Sequence, residues 1–144
     1  MNDRVSITVE NYIADVRLTR ADKMNALDPA MFEGIIAAGE ELASMKSVRA
    51  VVLSGEGRSF CAGLDMASMA SGEASANSGA ANGLTTRTHG NANTFQQVAM
   101  QWRKLPMPVI AAVHGVCFGG GLQIASGADI RVVAPDARMA VMEM

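Results

Sequence analysis

The sequence predicts an α/β domain, and three observations carry this expectation. Short apolar or alternating runs, which read as strands, take turns with stretches whose apolar residues recur every three or four positions, which read as helices. Residues such as Asn11, Pro29, Pro106, Pro108 and Gly119 punctuate the junctions between them. Hydrophobic residues fill 49% of the 144 positions and charged residues 18%, enough for one sizeable core and too apolar for global disorder.

Val5, Ile7 and Val9 alternate with polar residues, as do Ala14, Val16 and Leu18, which predicts two strands joined near Asn11 and Tyr12. Asp28 before Pro29 marks a helix start, with Asp28 as the cap and Pro29 at the first helical position. Phe32, Ile35, Ile36, Gly39, Leu42 and Ala43 would then form its apolar face. Residues 49–54 read as a buried strand, 55–58 as a turn and 59–65 as a loop. Residues 67–93 are mostly Ala, Ser, Gly, Asn and Thr, which predicts a flexible loop or a weakly helical excursion. Thr94 is placed to cap a helix carrying Phe95, Val98, Ala99 and Trp102 on one stripe, ended by Pro106 and Pro108. Val109–Val113 reads as a buried strand, followed by a tight turn, three glycines and a short helix to about Gly127. Ile130–Val133 is a further strand, with Pro135 and Asp136 turning the chain after it.

The glycine run Gly119, Gly120 and Gly121 is the most informative of these junctions. Three glycines at a helix entrance cost conformational entropy, so something must need bare backbone there. The first N–H groups of a helix lack intrahelical acceptors and carry partial positive charge. They suit a phosphate, or an oxygen that becomes negative during a reaction. A second glycine loop, Cys61-Ala62-Gly63-Leu64-Asp65, also follows a strand. One N–H from each loop would make a two-donor oxyanion hole; tight strand-to-helix packing would use the same glycines, and the residues alone leave both readings open. Nucleotide fingerprints do not fit. Leu122 and Gln123 stand where a P-loop needs Lys and Ser or Thr, and the G-x-G-x-x-G spacing is missing. A hydrolase elbow needs a serine between glycines, and Cys117 is not so placed.

Taken together, these residues resemble the crotonase (enoyl-CoA hydratase/isomerase) superfamily. The resemblance rests on Asn25-Ala26-Leu27 within residues 20–27, on residues 59–66, on residues 114–121 and on Asp129-Ile130, in that order along nearly the whole chain. It implies a crotonase-like spiral of ββα units over residues 1–144, ending before the family's C-terminal helices. By resemblance those helices cover the active site and help build trimers. It also implies an acyl-CoA substrate whose thioester oxygen is held by the backbone N–H groups of Leu64 and Gly120. Lys23, Met24 and Ala26 would lie along coenzyme A, with Ala62, Asp65 and Met66 near its adenine, and Gly63, Phe118 and Gly119 would line the same site. Lys23 would meet a CoA phosphate; a solvated surface lysine is the other reading.

Hydratases of the family carry two glutamates. Here Gln123 occupies the first position and Glu143 the second, 20 residues further on. Glutamine exchanges no proton at neutral pH but can orient a water or a carbonyl. Apolar surroundings make a carboxylate hold its proton more readily, which suits proton transfer at the α-carbon; Met139, Val141 and Met142 would supply them. One acid with a neutral partner fits double-bond isomerisation better than hydration. Hydration with Gln123 holding the water, and a non-catalytic acyl-CoA binder, are the alternatives. His114 and Cys117 read as structural. Met66, Met69, Met100 and Met107 either line a pliable acyl pocket or fill the core.

The net charge of −2 without a basic run argues against a nucleic-acid partner. No apolar run approaches the roughly 20 residues that span a bilayer. Cys61 and Cys117 lack a ligand-spaced histidine, so neither a metal nor a cofactor is expected beyond the coenzyme A of the substrate. A reduced, cytoplasmic setting is the simplest reading. Residues 138–144 read as an element in progress, which suggests a piece of a longer protein, a homotrimer or dimer of trimers by the resemblance.

Overall fold

A computed structural model describes residues 2–70 and 85–142. Strands β1 (Val5–Glu10) and β2 (Ile13–Leu18) form an antiparallel hairpin. Its two turn residues, Asn11 and Tyr12, sit at φ 49° and 67°, the left-handed pair that matches the twist of the flanking strands. Helix α1 (Pro29–Ser44) returns the chain to β3 (Ala50–Gly55). There follow α2 (Met66–Ala70), α3 (Thr94–Met100), β4 (Val109–Val113), β5 (Val116–Phe118), α4 (Gly120–Gly127), β6 (Ile130–Val133) and β7 (Arg138–Ala140). One sheet has the order β1-β2-β3-β4-β6, with β2, β3, β4 and β6 parallel. A second, smaller sheet pairs β5 with β7, also parallel. Parallel neighbours need long crossovers, and the helices supply them.

The core lies between the large sheet and its helices. Val16, Leu18, Val51, Leu53 and Val109 from the strands meet Met31, Ile35 and Leu42 of α1, with Trp102 and Ile124 completing it. Asp28 caps α1 as its sequence predicts, accepting the Met31 N–H at 2.8 Å. No described helix is long and apolar enough to cross a membrane.

Several details differ from expectation. The buried face of α1 is centred on Met31, Ile35, Ala38 and Leu42, and Ala43 has rotated past its edge into solvent. Asn93, not Thr94, caps α3. Its side chain accepts the Gln96 N–H while Gln96 Oε1 accepts the Asn93 N–H, a reciprocal capping pair. Of the expected stripe, Val98 and Trp102 are buried in the core and Phe95 packs against it, but the α-helix ends before Trp102. The α-helix gives way to a 3-10 turn at Trp102–Lys104, and Gln97 is buried beside Val98. Strand β5 was not anticipated, because three residues are too few to show a period. Part of the 67–93 segment is helical within α2, and His89 and Ala92 reverse the chain ahead of α3. Residues 71–84 lie outside the described residues.

Strand β6 is the free edge of the large sheet, and all four of its residues are exposed. Ile130, Val132 and Val133 place apolar side chains along an edge that no other strand among the described residues pairs, the kind of edge that can template association. Val132, at 61% exposure, carries no packing load, so Val132→Lys is expected to leave the melting temperature within about 2 °C.

Candidate active site

Two glycine loops meet at the C-terminal side of the parallel strands. The first, residues 59–65, leaves β3; the second leaves β5 and enters α4. Phe60 N–H donates to His114 O at 2.9 Å, Cys61 N–H to Val116 O at 3.1 Å and Phe118 N–H to Cys61 O at 3.0 Å. Cys61 thus forms a one-residue strand against β5, opposite Cys117. Burial pushes the Cys61 thiol up to about 12 and the Cys117 thiol to about 11, so neither is a thiolate nucleophile at neutral pH. His114 Nε2–H donates to Gly57 O at 2.9 Å, which occupies the ring in holding this turn.

The glycines have separate reasons. Gly63 has φ 92°, and a Cβ there would lie 2.9 Å from Phe118 O. Gly119, at φ 48° and ψ −118°, adopts a conformation closed to other residues and donates its N–H to Ala140 O at 2.9 Å. A Cβ on Gly120 would meet Leu27 Cδ1 at 2.6 Å, and one on Gly121 would meet Cys61 O at 2.5 Å.

Leu27 sits between the loops. Its N–H donates to Gly63 O at 2.8 Å, and its carbonyl accepts the Asp65 N–H at 3.0 Å. This short parallel ladder engages both neighbours of Leu64 and turns the Leu64 N–H away. Among the described residues, neither the Leu64 N–H nor the Gly120 N–H meets a protein acceptor. The position Gly63 Cβ would occupy is 3.8 Å from Gly120 N, so the two free donors belong to apposed segments.

A fully buried Asn25 clips this assembly together. Its Nδ2 donates to the carbonyls of Ser59 (2.9 Å), Glu56 (3.0 Å) and Phe60 (3.2 Å), and its Oδ1 accepts the Arg20 N–H at 2.9 Å. Met24 and Asn25 both take left-handed φ, 50° and 55°, which brings Met24 O to the Ala62 N–H at 2.9 Å.

The residues expected along coenzyme A divide into two groups. Met24, Ala62, Gly63, Phe118 and Gly119 surround the loop pair, and the Leu64 and Met66 side chains are exposed beside it. Lys23 stands in solvent on the 3-10 turn Ala21–Lys23. The polar groups of Ala26 are taken internally: its N–H by Lys23 O and its carbonyl by Arg20 Nη1. Asp65 is likewise engaged. Oδ1 accepts the N–H groups of Ala67 (3.0 Å) and Ser68 (3.3 Å), and Oδ2 pairs with Arg20 Nη1 at 2.7 Å. Gln123 is exposed on α4, three residues from Gly120. Met107 is buried in the core and Met66 is open to solvent. Met69 lies within α2. Glu143 lies outside the described residues.

Burial raises the Asp65 pKa, but the Arg20 pair and the two N–H bonds outweigh it, and the carboxyl titrates below its ordinary value. The folded value lies under the unfolded one. The stabilisation is therefore complete above the usual aspartate range and is lost as pH falls through the lowered value. Asp65→Asn should flatten the acid limb of a melting-temperature profile; an acid limb identical to wild type would remove Asp65 from that role.

Sequence reasoning missed Arg20 and Asp28 as partners of this site. Arg20 Nη1 reaches Asp28 Oδ2 at 3.4 Å as well as Asp65, and Arg4 Nη2 reaches Asp28 Oδ2 at 3.0 Å. No local pattern announces a cluster drawn from positions 4, 20, 28 and 65.

Known proteins share this arrangement of chain. A family model described as enoyl-CoA hydratase/isomerase matches residues 8–144. The mitochondrial Delta(3,5)-Delta(2,4)-dienoyl-CoA isomerase of Mus musculus is 31% identical over 137 residues, 95% of this chain and 42% of that protein. An enoyl-CoA hydratase/carnithine racemase from Magnetospirillum magneticum superposes with a TM-score of 0.81 at 32% identity, over 98% of this chain and 50% of that one. An enoyl-CoA hydratase from Shewanella pealeana superposes with a TM-score of 0.79 at 26% identity, over 94% and 48%. The chain thus spans about half the length of these relatives, and the crotonase-like fold expected from the sequence is the one they share. With nearly every residue inside the family match, the chain belongs to the enoyl-CoA hydratase/isomerase family.

Proposed function

We propose that the protein acts on acyl-CoA thioesters, holding the thioester oxygen between the Leu64 and Gly120 N–H groups and moving a proton with Glu143. The observation that carries this reading is the pair of unbonded N–H groups on apposed loops. Removing a proton next to a thioester puts negative charge on the carbonyl oxygen, and donors fixed in advance lower that barrier without reorganisation. Gly120 keeps side-chain atoms out of the approach to that oxygen. Exposed Lys23 is the proposed partner of a CoA phosphate, and Met24 and Ala62 are the proposed CoA contacts.

Gln123 in place of a carboxylate favours double-bond isomerisation. Glu143 would take the C2 proton of a 3-enoyl-CoA, leaving a dienolate, and return it to C4 to give the 2-enoyl-CoA. Hydration of a 2-enoyl-CoA, with Gln123 holding the water, is the second reading. A homotrimer belongs to the same proposal and is read by sedimentation equilibrium. The conjugated enoyl absorbance of the whole protein's reaction mixtures separates these readings. Absorbance should rise from 3-enoyl-CoA; a fall from 2-enoyl-CoA would assign hydration instead. Tight binding of both esters with no change would end the enzymatic reading. Glu143→Gln should lower the rate at least about 100-fold, and full activity would remove Glu143 from the chemistry.

A further inference from the structure

We infer that Arg20 is a positioning residue: its guanidinium ties the caps of α1 and α2 together and so aims the Leu64 N–H. The inference rests on the role proposed above for that N–H. One nitrogen, Nη1, serves three partners: Asp65 Oδ2 at 2.7 Å, Asp28 Oδ2 at 3.4 Å and the Ala26 carbonyl at 3.0 Å. Each carboxylate also holds the first turn of a helix. Asp28 accepts the Met31 N–H of α1, and Asp65 accepts the Ala67 and Ser68 N–H groups of α2.

Between these caps run two short segments, residues 26–28 and 63–65, joined by the bonds of Leu27 to Gly63 and Asp65. Leu64 is the central residue of the second segment. The direction of its N–H follows from those two bonds, and both segments end on a carboxylate that Arg20 bridges. The Arg20 backbone is held in turn, because its N–H donates to Asn25 Oδ1. Arg4 also grips Asp28, its Nε at 3.1 Å and Nη2 at 3.0 Å from the same Oδ2 that Arg20 reaches. With side-chain exposures of 13% for Arg20 and 11% for Asp65, this pair is shielded from the screening that weakens surface ion pairs.

A stabilising arginine and a positioning arginine predict different kinetics. The test compares wild type, Arg20→Met and Arg20→Lys in the whole protein with its enoyl-CoA substrate. Positioning predicts that Arg20→Met lowers kcat at least about tenfold with KM within twofold, since misaimed donors weaken transition-state contacts. Only one guanidinium nitrogen is used, so the lysine amine should restore part of the rate. A second readout is the carbonyl stretch of a bound, isotope-labelled acyl-CoA. Its red shift should shrink in Arg20→Met and partly return in Arg20→Lys, whereas a purely structural loss would leave it unchanged in the folded fraction. If Arg20→Met does not fold, Asp65→Asn removes the same bridge and should move kcat and the carbonyl frequency in the same direction. Unchanged kcat and frequency in a folded variant, or a loss confined to KM, would overturn the inference. The fate of the oxyanion reading is separate: it depends on the Gly120 donor, which Arg20 substitutions leave in place.

Discussion

Gly120→Pro should lower kcat of the whole protein by about 10²–10³-fold relative to Gly120→Ala, equivalent to about 2.7–4 kcal/mol. The comparison reads the loss of the Gly120 donor, because proline carries its ring Cδ where alanine keeps the hydrogen. Gly120 is the first residue of α4, a position where proline's fixed φ and missing N–H are tolerated. Both variants add a Cβ whose near neighbour is Leu27 Cδ1, the movable end of a side chain. Alanine keeps the N–H that no described residue accepts, and proline removes it. Steady-state kinetics on the two purified variants, with circular dichroism to check folding, reads the difference. Equal kcat values would mean that this N–H stabilises nothing in the transition state.

Asn25→Asp should destabilise the fold by about 3–5 kcal/mol, more than most single substitutions. The replacement is nearly isosteric, and aspartate tolerates the left-handed backbone of this position, so packing and strain change little. What changes is the sign of one group. An NH₂ that donates to Ser59, Glu56 and Phe60 becomes an oxygen facing three carbonyls in a fully buried site. Asn25→Ala should cost less, because it removes the donor without adding repulsion. Urea denaturation of the three proteins checks the order, and a folded Asn25→Asp of wild-type stability would show that the clip carries no load.

Elements whose signals are local were legible before the structure. The hairpin alternates, Asp28-Pro29 opens α1 unmistakably, and the glycine run marks the entrance of α4. Strand β5 was not legible, because its three residues are strand only by pairing with Cys61 and with β7, contacts distant in sequence. The cap of α3 slipped by one residue because Asn93 and Thr94 are both capping types, and only the Gln96 contact decides between them. The candidate donors Leu64 and Gly120 follow from the motif resemblance alone. Periodicity could not find them, since a free N–H depends on how Leu27 engages the residues on either side of Leu64.

The seam at Cys61 bears on how such a protein could be recombined. Cys61 is held between Val116 and Phe118, Gly63 leaves no room over the Phe118 carbonyl, and Gly121 leaves none beside the Cys61 carbonyl. Residues 59–65 and 114–121 therefore form one module, although about fifty positions separate them in the chain. A hybrid that takes only the first loop from a relative would inherit a mismatched seam. One that takes both loops, with Leu27 between them, would transfer an intact unit.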